Sequence, residues 1–136
     1  MMDTENISIA QAKVRIARTH YQAIASSGNH AIVVDEPADM GGGDTGMNPF
    51  GLLLGSLGSC TIITLRMYIE RKMWVVNEIS VELEAFAVEG GYLIQSKLDF
   101  KGDLTTEQIS RLLTIANSCP IHKVLAGNIT METAVA

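Results

Sequence analysis

Residues 45–65 form a long stretch that contains no charged side chain. An apolar stretch of about 20 residues is long enough to cross a lipid bilayer, so a membrane span must be weighed against a buried helix. Gly, Ser, Thr, Asn and Pro interrupt this stretch, and this favours a helix of a globular protein that is apolar all round because it is buried all round. We predict that Asn48 caps this helix, that Pro49 is its first residue and that it ends near Lys72.

Small residues recur on one side of this predicted helix. Gly51, Gly55 and Ser59 follow one another at every fourth position, so they form a smooth face where another backbone can approach closely. In a chain this small, one sheet can cover only one face of the helix. We therefore expect the same helix of a second subunit to cover the other face, in a homodimer with an apolar, obligate interface.

The composition excludes several classes of protein. Hydrophobic residues make up 47% of the 136 residues and charged residues 18%, and these proportions are typical of one compact domain spanning residues 1–136. The net charge is −5 and there is no basic run, so we expect neither nucleic acid nor an anionic membrane as a partner. The chain begins with an acidic segment instead of a basic, apolar leader, which predicts a cytoplasmic location. Cytoplasmic thiols stay reduced, although a transient catalytic disulfide remains open.

The remaining pattern predicts an α+β fold with an antiparallel sheet. Strands are expected around residues 14–16, 21–25 and 31–34, with a turn at 26–29. The glycine-rich residues 38–47 indicate an irregular, mobile loop. Alternating apolar residues at 79–85 and 92–100 predict a β-hairpin around Gly90 and Gly91.

Helices dominate the predicted C-terminal third of the chain. A capping box at Thr105 and Gln108 begins a helix that runs to Cys119. Pro120 begins a second, short helix, which ends at Gly127. Alternating apolar residues then predict a last strand that contains Ile129, Met131 and Val135.

Cys60 and Cys119 are the two cysteines of the chain, and each is expected to face the core. They are either inert packing residues or a redox couple, and their spacing alone does not decide between these. Cys119 precedes Pro120 at a helix start, where free amides stabilise a thiolate, whereas Cys60 lies well inside its helix. With His122, the two cysteines offer three soft metal ligands, fewer than the four of a usual zinc site, so we predict no metal.

Several motifs together resemble the OsmC/Ohr family. They are Gly28-Asn29-His30, Asp35-Glu36-Pro37, Gly42-Gly43-Asp44, Asn48-Pro49, the run from Leu52 through Cys60 to Thr61, Leu65-Arg66-Met67-Tyr68, Arg71-Lys72 and Cys119-Pro120-Ile121-His122-Lys123. The resemblance covers nearly the whole chain in the same order. It implies an intertwined homodimer in which antiparallel sheets wrap around long central helices.

The resemblance also implies thiol peroxidase activity toward organic hydroperoxides. Cys60 then matches the cysteine that attacks the peroxide and becomes a sulfenic acid, and Cys119 matches the one that resolves it into a disulfide. An external dithiol resets the enzyme, and no cofactor is needed. Apolar residues of the central helix are expected to form the substrate pocket; they are Phe50, Leu53, Leu57 and Ile63.

The activating residues depart from the family pattern. Family members pair an arginine of the early strands with a glutamate shortly after the proline that Pro49 matches. Arg15 or Arg18 is the expected arginine, whereas the positions after Pro49 are Phe50 and Gly51. Asp35 or Glu36 is a substitute for the missing acid, or simply the solvated end of a strand. The alternative function is a non-catalytic dimeric binding or redox-sensing module that has lost its activating glutamate.

Overall fold

The computed structural model describes residues 6–136, and their contacts fall into two units. The first unit ends at Leu52 and the second begins at Leu53. A single domain over residues 1–136 therefore stays a prediction. Most of the acidic segment on which the cytoplasmic prediction rests lies outside the described residues.

The first unit is a three-stranded antiparallel sheet. Its strands are β1 (Lys13–Ile16), β2 (Ala23–Ser27) and β3 (His30–Val34), in the order β1-β2-β3. The turn between β2 and β3 contains Gly28 at φ +58°, a left-handed conformation that glycine adopts without strain. The three predicted strands and this turn are confirmed, with boundaries shifted by one or two residues.

The glycine-rich loop after β3 is more ordered than an irregular segment. Its first residues form a single 3-10 turn at Ala38–Met40. A Cβ atom at Gly42 would collide with the main-chain carbonyl of Glu36, and one at Gly46 with that of Val33. These two glycines are needed because the loop folds back directly onto the end of β3.

The long helix α1 spans Pro49–Arg71 and begins as predicted. The side chain of Asn48 accepts a hydrogen bond from the Gly51 amide at 2.8 Å, so Asn48 caps the helix. Leu65 and Ile69 are fully buried, whereas other apolar residues of α1 are exposed in the single chain, so burial of the rest of the helix by a second subunit stays a prediction. These exposed residues are Phe50, Leu53, Ile63 and Met67.

The second unit packs helices against a β-hairpin. Strands β4 (Glu78–Val88) and β5 (Gly91–Lys101) pair along their whole length, and Gly90 occupies their turn at φ +81°. On α1, Gly58 is buried, and a Cβ atom there would lie 2.7 Å from a methyl group of Leu83. The absence of a side chain at Gly58 thus lets α1 approach β4 closely.

Two further helices complete the second unit. Helix α2 spans Thr106–Ala116, and both hydrogen bonds of the predicted capping box are present at its start. Its Leu112 is fully buried and joins Leu65 and Ile69 in the core. Helix α3 spans Pro120–Ala126 and ends at Gly127, as predicted. By length and composition α1 could cross a membrane, but its buried residues lie in this core, which is the pattern of a core helix.

The predicted last strand is wrong. Within residues 6–136, no strand follows α3, and Ile129, Met131 and Val135 are exposed. Alternating apolar residues predict which side chains share a face, but a strand also needs a neighbouring strand to satisfy its backbone. No strand of the described chain pairs with this segment.

Candidate active site

The structure brings the two cysteines together in the second unit. Cys60 lies in α1, and Cys119 is the residue that caps α3. Both are free thiols, and they lie close enough for each to shift the pKa of the other. Cys119 is fully buried, whereas Cys60 keeps part of its surface exposed. Of the two cysteines, Cys60 is therefore the more accessible from solvent.

Cys119 lies in surroundings that favour a thiolate. The main-chain amide of His122 donates a hydrogen bond to its sulfur at 3.2 Å, and the Thr61 hydroxyl lies 3.8 Å from it. Burial raises the pKa of Cys119, but the hydrogen bonds from the His122 amide, the Cys60 thiol and the Thr61 hydroxyl together lower it below its usual value. The predicted stabilising effect of this helix start is thus present.

The surroundings of Cys60, by contrast, disfavour a thiolate. Burial raises the pKa of its thiol, and both the hydrogen bond to Cys119 and the charge of that residue raise it further. Hydrogen bonds from the Ile121 amide and the Thr64 hydroxyl lower the pKa of Cys60, but they do not reverse the upward shift. The two pKa shifts have opposite directions, so the surroundings favour a negative charge on Cys119 over one on Cys60.

A cavity of about 510 Å³ lies in the second unit, and its lining residues include neither Cys60 nor Cys119. Thr61 and His122 contribute to its wall, and each also donates a hydrogen bond to the sulfur of Cys119. Leu57, one of the predicted pocket residues, lines the same cavity. The remaining lining residues are Tyr92, Ile94, Ser96, Leu98, Leu113, Ala116, Asn117, Leu125 and Ala126.

The other predicted substrate residues lie on the exposed side of α1. Leu53 is 40% exposed and Ile63 is 52% exposed. Leu53 precedes Cys60 by two helical turns, so the two side chains lie on one stripe of the helix. Phe50 is also exposed, at the start of α1.

The predicted activating residues lie in the first unit. Arg15 is in β1 and Arg18 follows it, and both are exposed, so their role stays a prediction. Asp35 is not the solvated end of a strand, since it is only 3% exposed. Its carboxylate accepts hydrogen bonds from the amides of Glu36, Gly43 and Thr45 and from the Thr45 hydroxyl. This carboxylate is therefore occupied in holding the glycine-rich loop.

Sequence reasoning missed the hydroxyl groups around the pair. Thr61 follows Cys60 directly and Thr64 lies one helical turn beyond it. The spacing signals that Thr64 and Cys60 share a helix face, but it does not show that Thr61 reaches a sulfur 58 positions away. Within residues 6–136 no group of three or more possible metal ligands occurs, and the prediction of no metal stays a prediction.

The chain matches a known protein family. The profile of the family described as OsmC-like protein matches residues 41–134. The chain is 26% identical to the uncharacterized protein YmaD of Bacillus subtilis (strain 168), over 78% of each chain.

Solved structures share the fold. An OsmC-like protein from Mycoplasma pneumoniae superposes with a TM-score of 0.74 at 18% identity, over 88% of this chain and 89% of that one. An organic hydroperoxide resistance protein from Elizabethkingia anophelis gives a TM-score of 0.66 at 22% identity, over 92% and 93% of the chains. A third, from Legionella pneumophila and described as an organic hydroperoxide resistance protein OsmC, gives 0.62 at 20% identity, over 91% and 93%.

Proposed function

The chain belongs to the OsmC/Ohr family, and on this premise we propose that it is a thiol-dependent peroxidase for organic hydroperoxides. The observation that carries the proposal is the proximity of Cys60 and Cys119: the Thr61 hydroxyl, one residue after Cys60, lies 3.8 Å from the Cys119 sulfur, and each thiol shifts the pKa of the other. Two neighbouring thiols can be oxidised to one disulfide where the backbone brings their Cα atoms within about 7 Å. The names of the structural neighbours from Elizabethkingia and Legionella agree with a role in peroxide resistance.

The exposure of the two cysteines supports the predicted roles, in which Cys60 attacks the peroxide and Cys119 resolves the sulfenic acid. Cys60 is partly exposed, so its sulfur attacks the distal oxygen of the hydroperoxide, the O–O bond breaks and an alcohol leaves. Cys119 is buried beside it and is held toward the thiolate form, as a resolving nucleophile requires. It displaces hydroxide from the sulfenic acid and closes the disulfide. An external dithiol then restores both thiols, and no cofactor takes part.

The surface around Cys60 supports an organic substrate. Leu53 and Ile63 expose apolar surface on the same side of α1 as Cys60, and they can cover the alkyl part of a hydroperoxide. Hydrogen peroxide has no such part and gains nothing from these contacts. We therefore expect alkyl hydroperoxides to react faster than hydrogen peroxide.

We also propose a homodimer, with the protein in the cytoplasm. Gly55 and Ser59 are exposed on α1, and the space around Gly55 is open. These small residues leave a surface on which a second copy of the helix can pack closely. Phe50 and Met67, the exposed apolar residues of α1 that this substrate surface does not use, would gain from such cover, because they now face solvent.

A second candidate function is a non-catalytic binding or redox-sensing module. The raised pKa of Cys60 favours it, because a thiol that stays protonated attacks peroxide slowly. Thiol titration before and after one equivalent of cumene hydroperoxide separates the two functions. A peroxidase loses both thiols within seconds and regains them with a dithiol, whereas a module without activity keeps both thiols free.

A further inference from the structure

Thr61 holds one hydroxyl proton between two acceptors. Its oxygen lies 2.8 Å from the main-chain carbonyl of Leu57 and 3.8 Å from the sulfur of Cys119. The side chain is 7% exposed, so no bulk solvent competes for this proton. A hydroxyl turns about its C–O bond without moving its heavy atoms, so the proton can serve either acceptor in the geometry that exists.

We propose that Thr61 is a positioning residue for Cys119, with a hydroxyl proton that turns from the Leu57 carbonyl to the Cys119 sulfur whenever that sulfur is a thiolate. The proposal rests on the proposed function, since it concerns the same pair of sulfurs. It assigns Thr61 to two steps, the closing of the disulfide and its opening by the reductant. In the closed disulfide the Cys119 sulfur carries no charge, and the proton returns to Leu57.

The closing step needs Cys119 as a nucleophile. Its thiolate attacks the sulfur of the Cys60 sulfenic acid, so the S–S bond forms and the S–O bond breaks. Hydroxide leaves and takes up a proton from water or buffer. Two donors, the His122 amide and the Thr61 hydroxyl, hold the thiolate in place beforehand, and the hydroxyl of Thr61 comes from the same helix as Cys60.

The opening step needs Cys119 as a leaving group. One thiolate of the external dithiol attacks the sulfur of Cys60, because Cys60 is partly exposed and Cys119 is fully buried. The S–S bond breaks, its electron pair goes to Cys119, and the reductant is held on Cys60 as a mixed disulfide. The second thiol of the reductant then displaces Cys60, so the reductant loses two electrons and the protein gains them. A stabilised thiolate leaves faster, so Thr61 accelerates this exchange.

The experiment compares Thr61→Val, which keeps the shape and removes the hydroxyl, with Thr61→Ser, which keeps the hydroxyl. Each protein is oxidised to the disulfide with diamide, so that peroxidase activity is not required, and then reduced with dithiothreitol. We expect Thr61→Val to slow this reduction by roughly threefold to tenfold and Thr61→Ser to stay within twofold of the unaltered protein. Thr61→Ala serves as the second variant without a hydroxyl if Thr61→Val does not fold.

A second readout separates positioning from packing. Cys60→Ser removes the other thiol of the chain, so the ultraviolet absorbance of the thiolate in this background reports Cys119 alone. Removing the Thr61 hydroxyl should move this titration to higher pH, and serine at position 61 should restore it. Equal reduction rates and equal titrations for the valine and unaltered proteins would overturn the proposal. Failure of the unaltered protein to consume hydroperoxide would overturn the proposed function instead, since neither readout depends on that reaction.

Discussion

The main-chain amide of His122 donates a hydrogen bond to the sulfur of Cys119 at 3.2 Å. Cys119 thus caps α3 with a sulfur, where serine or aspartate would use an oxygen. Pro120 has no backbone N–H to donate, so the N–H groups that face the two thiols are those of Ile121 and His122. The cap therefore fixes Cys119 beside Cys60 and biases the charge of the pair toward the buried sulfur.

The two cysteines should differ sharply when each is replaced by serine. We expect Cys60→Ser to abolish hydroperoxide turnover, because the remaining sulfur is fully buried. Cys119→Ser should undergo one oxidation and then stall at the sulfenic acid, since no second thiol is present to close the disulfide. Mass spectrometry after one equivalent of cumene hydroperoxide checks both results. Free thiols in the treated unaltered protein, or links between subunits alone, would contradict the proposed resolving role of Cys119.

The dimer should depend on the exposed glycine of α1. A Cβ atom at Gly55 meets nothing within 4 Å in the single chain, and leucine favours a helix more than glycine does. Gly55→Leu should therefore leave the folded subunit intact and still disrupt assembly and solubility. Light scattering at micromolar concentration measures the effect, with Ser110→Leu on the exposed side of α2 as the control. A native monomer before any substitution would contradict the dimer.

The sequence predicted most elements of the fold because each had a local signal. The capping box at Thr105, the proline that starts α3 and the glycine at the hairpin turn all act through residues close in sequence. The last strand could not be predicted in this way, because pairing depends on a distant neighbour. Likewise, the Cys60 and Cys119 contact was available only through family resemblance. The contact between Thr61 and Cys119 had no signal in the sequence, since it joins two residues that are 58 positions apart.

Asp35 should stabilise the glycine-rich loop in a pH-dependent manner. The hydrogen bond from the Thr45 side chain is the largest cause that lowers the pKa of Asp35, and the amides of Thr45, Glu36 and Gly43 add to it, against the effect of burial. A carboxyl with a lowered pKa in the folded state stabilises the fold above its unfolded pKa, and this contribution disappears as pH falls through the folded value. Asp35→Asn should therefore lower the urea midpoint at neutral pH, with a gap to the unaltered protein that narrows in acid.

Asp39→Asn is the matched control for this series, because Asp39 is exposed in the neighbouring 3-10 turn. It should leave the urea midpoint unchanged across the same pH range. A gap between Asp35→Asn and the unaltered protein that stays constant from neutral to acid pH would show that the charge of Asp35 is not the source of its effect.

The capping box of α2 should contribute measurably to stability. The Thr105 side chain accepts the amide of Gln108 at 3.1 Å, and the Gln108 side chain accepts the amide of Thr105 at 2.8 Å. Thr105→Ala removes the first bond and should reduce the free energy of unfolding by about 1 kcal/mol. Urea denaturation measures this loss. Thr114→Ala, on the exposed side of the same helix, should change stability by less than half as much, and an equal loss at both positions would contradict the cap.

Leu53 should set the preference for organic hydroperoxides. It lies two turns before Cys60 on the same stripe of α1 and is 40% exposed, so asparagine fits there without disturbing the core. Leu53→Asn should lower kcat/KM for cumene hydroperoxide by about tenfold, because apolar contact with the organic part is lost. The value for hydrogen peroxide should stay within twofold, since that substrate has no organic part to bind. Ile109→Asn, an exposed apolar position on α2, is the control, and equal losses for both peroxides at Leu53 would place the selectivity elsewhere.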